Sequence, residues 1–217
     1  MKELTPQSEL AQAMAEGEPE VELVVPRTYV YKCKDNFRFT AVVGQDTTLL
    51  ILPDQRVQVP HVISASGARY SNGPVTYWSK GDRAQLIVGD KSYAGCRIAP
   101  AEGVWADAEL RGVNFRAIGQ EPGWYLELKK GSDILFVADY GERRITMPTP
   151  TPTTKPKTAT HGAITTYDIK TGTNHLTVAI EDRACNDSMS GEAYPATVIV
   201  TLNGSTYNGC GQFLKPR

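Results

Sequence analysis

The stretch Ala84-Gln85-Leu86-Ile87-Val88-Gly89-Asp90-Lys91-Ser92-Tyr93-Ala94-Gly95-Cys96 decides the fold class. Two strand-like runs flank Gly89-Asp90, and a two-residue break containing glycine between such runs is a hairpin signal. Upstream, Phe37, Phe39, Ala41 and Val43 fall on one face and Arg38 and Thr40 on the other, the period of a half-buried strand. Tyr29, Tyr31 and Cys33 alternate in the same way. Residues 28–98 therefore read as a compact antiparallel β domain.

Residues 99–104, Ala-Pro-Ala-Glu-Gly-Val, read as a linker, and a second β-rich domain follows over 105–217. There, Trp124–Lys129 and Asp133–Asp139 flank Lys130-Gly131-Ser132, a further hairpin candidate. Thr197–Leu202 and Ser205–Tyr207 flank Asn203-Gly204, the strongest short hairpin signal in the chain. Met147–Thr160 carries four prolines, which deny strand hydrogen bonds, so it is expected to be a long extended surface loop within this domain. Ile164–Ile169 and Leu176–Ile180 read as further strands. No helix longer than two turns is expected, and no internal repeat is evident. The predicted class is all-β, with two antiparallel β domains, the second a barrel or sandwich.

The chain has 217 residues, enough for two small domains, and 41% of them are hydrophobic, too many for a disordered chain. A formal net charge of −1 gives no global cationic field, which excludes counterion-driven binding of nucleic acid. Apolar runs such as Leu49-Leu50-Ile51-Leu52 are too short to span a bilayer. The charge is unevenly placed. Residues 1–27 hold six Glu against two basic residues and are expected to form an acidic, flexible leader, whereas residues 28–98 hold nine Lys+Arg against five Asp, net +4. The leader has no apolar core of a signal peptide and is expected to begin a mature chain whose export segment has been removed.

Cys33 and Cys96 lie in the first half, Cys185 and Cys210 in the second. Four cysteines allow three pairings, and the gaps let each half close its own loop. Such closures contribute about 3–4 kcal/mol each in the loop-entropy picture. No C-x-x-C occurs, and His61, His161 and His175 are far apart, so neither a metal nor another cofactor is expected. Structural disulfides imply an oxidising compartment, hence export to the periplasm or an outer-membrane-anchored place in the envelope.

The densest motif runs from Ser66 to Gly81: Ser-Gly-Ala-Arg-Tyr-Ser-Asn-Gly-Pro-Val-Thr-Tyr-Trp-Ser-Lys-Gly. By itself it is a turn, a short aromatic strand and a second turn, with Tyr70, Tyr77 and Trp78 available for packing. It also sets a hydroxyl (Ser66) and an ammonium (Lys80) on loops flanking one strand, where recognition residues concentrate on rigid β scaffolds.

Residues 29–96 resemble the membrane-bound and periplasmic inhibitors of C-type lysozyme of Gram-negative bacteria. The likeness is carried by Tyr31-Lys32-Cys33, Ser66-Gly67-Ala68-Arg69-Tyr70, Tyr77-Trp78-Ser79-Lys80-Gly81 and Tyr93-Ala94-Gly95-Cys96. It implies an eight-stranded antiparallel β-barrel with a Cys33–Cys96 disulfide, and Ser66 and Lys80 as the residues inserted into the lysozyme cleft. Gly67, Arg69, Tyr70 and Tyr77 belong to the same expected binding set. Retaining glycosidases hold one protonated and one ionised carboxyl about 5–5.5 Å apart. An ammonium suits the ionised carboxyl, and a hydroxyl can serve either form. Vertebrate C-type lysozymes are usually basic, so a barrel of net +4 offers no long-range attraction unless the acidic leader lies near the interface.

The second half carries Gly119-Gln120-Glu121-Pro122-Gly123-Trp124, then Cys185-Asn186-Asp187-Ser188-Met189-Ser190-Gly191, Tyr194-Pro195 and Asn208-Gly209-Cys210-Gly211. These segments, over roughly 105–214, resemble an uncharacterised family of bacterial envelope proteins with a G-N-E-P-G-W-like motif, Gln120 replacing the Asn. The resemblance implies one domain, and the pairing expected there is Cys185–Cys210. An enzymatic reading would require Glu121 and Asp187 to converge in a pocket, and Ser190 lacks the glycine setting and His partner of a nucleophile. The expected function is inhibition of a C-type lysozyme, with no catalysis and with membrane contact only through a lipid anchor outside this chain. The alternative is a non-catalytic envelope module for a glycan or another protein. That module would show an aromatic groove formed by Tyr70, Tyr77 or Trp124, with Lys80 paired internally.

Overall fold

The computed structural model describes residues 26–215. Residues 1–25 of the acidic leader, and its expected flexibility, thus lie outside the described residues, while Arg27, its last residue as read from the sequence, already begins β1. Eight strands close into an antiparallel barrel: β1 (Arg27–Lys32), β2 (Arg38–Val43), β3 (Thr47–Ile51), β4 (Arg56–Val62), β5 (Ala68–Ser71), β6 (Val75–Lys80), β7 (Arg83–Val88) and β8 (Lys91–Ile98). Each strand pairs with the next, and β1 closes the ring on β8 through Tyr31–Ile98 and Lys32–Arg97. The Gly89-Asp90 hairpin is present, with Val88 opposite Lys91 and Gly89 at φ +56°. Inside, Tyr31 stacks on Phe39 with centroids 5.0 Å apart, and Tyr77 meets both rings edge-on. The Tyr31 and Tyr77 hydroxyls share a hydrogen bond of 2.9 Å, and burial pushes both phenols above their ordinary pKa. Cys33 and Cys96 are bonded.

Period-two burial fails along the β1–β2 wall: Val30 and Tyr31 are both buried, as are Phe39 and Thr40. Tyr31 and Phe39 face the barrel core. Val30 and Thr40 point outward and are covered by the rest of the chain, together lining a cleft of about 670 Å³ with Trp105 and Tyr194.

The covering element is a helix, α1 (Pro100–Leu110), where the sequence reads as linker and no helix beyond two turns is expected. Proline at its first turn supplies a pre-set φ and lacks a hydrogen the helix would leave unbonded. Its buried positions are Gly103, Ala106 and Ala108, a stripe too small to register as apolar periodicity. Small size is what the packing demands, because a Cβ on Gly103 would sit 3.2 Å from the Thr28 carbonyl oxygen. Glu102 pairs with both Lys32 and Arg38 of the barrel, and Thr28 Oγ1 donates to Asp107 at 3.0 Å.

Beyond α1, β9 (Phe115–Gln120), β10 (Gly123–Leu128), β11 (Asp133–Ala138) and β12 (Arg143–Pro148) form a meander. It continues through β13 (Thr153–Lys155), β14 (Ile164–Thr171), β15 (Asn174–Glu181), the short pair β16 (Cys185–Asn186) and β17 (Ala193–Tyr194), β18 (Ala196–Leu202) and β19 (Ser205–Phe213). Apart from β16 and β17, these make one curled nine-stranded sheet, in the order β12-β11-β10-β9-β19-β18-β15-β14-β13. Its buried side includes Phe115, Leu126, Phe136, Leu176, Val198 and Tyr207. The Asn203-Gly204 turn joins β18 to β19 with both residues at positive φ, the geometry that hairpin twist favours. The Pro/Thr stretch differs from the pure loop expected: Thr153–Lys155 forms an exposed edge strand on β14, between prolines that keep it short.

An ionic cluster joins α1 to this sheet. Arg111 contacts Asp107 at 2.7 Å and grips Glu127 through two bonds of 2.7 and 2.8 Å, while Arg116 also pairs with Glu127. The Arg116 guanidinium lies over Tyr125, 4.7 Å from the ring centroid. Its burial lowers its pKa, with the Glu127 carboxylate opposing that shift. Hydrogen-bonded partners of this kind are what a buried charge requires.

Candidate functional site

In an antiparallel barrel every second loop lies at the same end. The β4–β5 loop, residues 63–67, and the β6–β7 turn at Gly81-Asp82 are therefore neighbours. Opposite Ala68 in the β5–β6 register stands Ser79, which sets Gly67 beside Lys80. A Cβ built on Gly67 would be 3.3 Å from the Lys80 Cβ and would collide with the Ser79 carbonyl oxygen. With φ at +69° as well, glycine is the residue this close approach requires. The indole of Trp78 donates to the Ser66 carbonyl at 2.8 Å, and the Ser64 hydroxyl donates to the Gly67 carbonyl at 3.0 Å. The loop is thus fastened to the end of β6, and Ser66 and Lys80 are both exposed there.

Electrostatics leave the site cationic. Trp78 and Lys80 alternate with the inward-facing Tyr77 and Ser79, so they share the outer face, where exposed Arg69 stands across from Trp78. Among the described residues neither Lys80 nor Arg69 has an ion-pair partner. The neighbouring carboxylate, Asp82, is held by Arg97 at 2.7 Å and lies 3.9 Å from Arg83.

Tyr70 and Tyr77, expected to touch a partner, are corrected by their burial. Tyr77 has no exposed surface and Tyr70 only 4%, because both belong to the aromatic interior, with ring centroids 6.0 Å apart. They hold β5 and β6 in place from within. Nor do Tyr70, Tyr77 and Trp124 line an open groove, since Trp124 is buried in the core of the second sheet. One exposed apolar side chain escaped the sequence reading, Ile63, at 96% the most exposed large apolar residue described; Trp78, read there as a packing residue, is 42% exposed.

The second-half motifs have structural work. Trp124 donates its indole hydrogen to the Asn208 carbonyl at 3.2 Å, and Gly119 and Gly209 clear its ring. A Cβ on Gly209 would fall 2.6 Å from Trp124 Cζ2. Glu121-Pro122 is the two-residue turn between β9 and β10. Gln120 donates to Asp187 at 2.8 Å, tying that hairpin to the loop bounded by the Cys185–Cys210 disulfide. Glu121 is exposed, whereas Asp187 is buried with its carboxylate taken up by Gln120 and Ser190.

Burial pushes the Asp187 carboxyl upward in pKa, but bonds from the Ser190 hydroxyl, the Ser190 N–H and Gln120 outweigh it and hold the group below the usual carboxylate range. A depressed pKa contributes stability above the unfolded value and loses it as pH falls through the folded one. Acid titration of unfolding should therefore show stability declining below about pH 4, the ordinary Asp value. Asp187→Asn should flatten that limb; an unchanged limb would contradict the assignment.

The barrel thus carries, among the described residues, an ammonium without an ion-pair partner and a hydroxyl together on one exposed end. Residues 31–94 match the family model described as membrane-bound lysozyme-inhibitor of c-type lysozyme, which places a domain of that family within the barrel. A membrane-bound lysozyme inhibitor of C-type lysozyme from Pseudomonas aeruginosa is 35% identical over 65 residues, 28% of this chain and 51% of that protein. One of the same description from Yersinia enterocolitica is 45% identical over 40 residues, 18% of this chain and 34% of that protein. The chain thus spans about half the length of the first relative and a third of the second. No solved structure matches the chain.

Proposed function

We propose that this protein inhibits a C-type lysozyme in the bacterial cell envelope, presenting Lys80 and Ser66 to the two carboxyls of the muramidase cleft and so protecting the cell wall. The observation that carries the reading is the unpaired, exposed ammonium of Lys80 beside the Ser66 loop at one end of a barrel matched by the inhibitor family. Lys80 supplies a compact positive charge to the ionised carboxyl, and Ser66 a hydroxyl able to donate or accept. Arg69 serves as a cationic neighbour on the same face. A non-catalytic role follows from this reading, because the domain acts by filling another protein's site.

Among the described residues, no hydrogen bond or ion pair joins the Ser66–Lys80 end to the second unit. Its contacts with the barrel run through α1 and the β1–β2 wall. Lys80, on β6, lies three places from β1 and four from β2 around the closed ring, and the Ser66 loop joins β4 to β5. The two clefts beside α1, of about 670 and 630 Å³, include neither residue.

The test is lysis of a cell-wall suspension by a C-type lysozyme with increasing amounts of the full chain. Dose-dependent loss of lysis is expected, and undiminished lysis at excess inhibitor would overturn the reading. Trp78 acts here as a positioning residue. Trp78→Phe keeps an aromatic ring and removes the bond to the Ser66 carbonyl, so inhibition should weaken about 2- to 10-fold while the fold is retained with a stability loss of no more than about 1 kcal/mol, the scale of one hydrogen bond. Parental potency would show that the bond does not position the loop.

A further inference from the structure

At the start of the β4–β5 loop, directly after β4, Ile63 holds its side chain 96% exposed, three residues before Ser66-Gly67 closes the loop onto β6. An isolated exposed aliphatic residue needs no explanation on most surfaces. This one is different in its setting. The loop around it is fixed at three points: Ser64 to the Ser66 and Gly67 carbonyls, and Trp78 to the Ser66 carbonyl. The side chain is therefore held out by a rigid frame, on the same loop as Ser66. Trp78, the other exposed apolar group of this end, stands at 42% exposure on the outer face with Lys80. Ile63, Ser66, Trp78 and Lys80 thus stand at one end of the barrel, two exposed apolar groups with one hydroxyl and one ammonium.

We infer that Ile63 is an apolar anchor that packs on the wall of the muramidase cleft beside the protonated carboxyl. The inference rests on the inhibitor reading and names a residue which that reading does not use. The chemistry of the occupant is specific. A glycosidase of this type keeps one carboxyl protonated at neutral pH by an apolar surround, while its partner stays ionised in a polar one. A protein that fills such a cleft must match both halves. Lys80 answers the ionised carboxyl and gives nothing to the apolar surround, which would desolvate the ammonium without return. Ile63 supplies matching apolar surface there, and its fixed loop reduces the ordering cost of binding. Apolar contact would also explain how a barrel of net positive charge binds a partner that is itself basic: short-range packing around one buried charge pair replaces steering.

The test compares the full chain with Ile63→Asp, Ile63→Ser, Ile63→Val and Lys80→Ala in the same lysozyme inhibition titration. Ile63 makes almost no contact within its own fold, so all three Ile63 variants should keep the parental melting temperature. Ile63→Ser should raise the inhibition constant about 10-fold and Ile63→Asp about 100-fold, by removing apolar surface and then adding a charge against it. Ile63→Val should stay within about 4-fold, as expected for loss of one methylene. If Ile63→Asp inhibits like the parent while Lys80→Ala fails, the anchor is overturned and the inhibitor reading stands. If the parent itself does not inhibit, both are overturned.

Discussion

Lys80→Ala is expected to cost about 2–5 kcal/mol in binding to a C-type lysozyme, a loss of roughly 30-fold to several thousand-fold in inhibition. Much of that loss comes from the partner, whose ionised carboxyl would remain covered by protein with no counter-charge. The structure adds why no neighbour can substitute. Arg97 is committed to Asp82 at 2.7 Å, and Arg83 lies across the turn 3.9 Å from the same carboxylate, so neither guanidinium is free to replace the ammonium. Arg69 shares the outer face but sits on the adjacent strand, opposite Trp78. Because Lys80 has no internal ion pair to lose, the variant should keep its fold and melting temperature. Titration of lysozyme activity against parent and variant, with circular dichroism as the control, decides it. Equal potency would remove Lys80 from the cleft.

Removal of the Cys33–Cys96 disulfide should be the largest single loss of stability. The bond closes a separation of 63 residues, for which loop entropy gives about 4 kcal/mol. It joins the end of β1 to β8, the seam that makes the barrel a closed ring. Cys96 is fully buried in the barrel core, so opening the seam also exposes Tyr31 and Phe39. Replacing the pair by Ala should lower the unfolding free energy by about 4 kcal/mol and weaken inhibition with it. The Cys185–Cys210 bond, with a separation of 25, should cost about 3.5 kcal/mol and leave inhibition intact. Denaturant unfolding of the two double variants measures the difference. A barrel pair worth less than about 1 kcal/mol would contradict the argument.

Much of the fold could be read because strand pairs carry their signals locally. Gly89-Asp90, Lys130-Gly131-Ser132 and Asn203-Gly204 each mark a hairpin the structure contains. The helix could not be read, since its packing stripe is Gly103, Ala106 and Ala108, chosen for close approach to β1 and nearly silent in hydrophobicity. Thr40 and Val30 looked solvent-facing because alternation reports only the barrel's own interior, and the second unit covers the outside there. The Arg111, Arg116 and Glu127 cluster joins three elements with no local pattern to announce it.

Within the candidate site, Ser66, Gly67 and Lys80 were named through the motif, but the stretch read as one strand is the β5–β6 hairpin, which returns Lys80 to the side of Gly67. Arg69 is exposed on the same face. Tyr70 and Tyr77 were assigned outward because a motif does not say which residues of a strand face in, and alternation from exposed Trp78 and Lys80 turns Tyr77 into the core. Ile63 went unnoticed because one aliphatic residue ending a strand resembles core; only its 96% exposure separates it.

The central claim is that the Ser66–Lys80 end fills the substrate cleft of a C-type lysozyme. The most direct measurement is calorimetric titration of lysozyme with the full chain, with and without a saturating N-acetylglucosamine oligomer held in that cleft. Competition is expected, the apparent affinity falling in proportion to oligomer occupancy. Affinity unchanged by the bound oligomer would place the interface elsewhere and contradict the account.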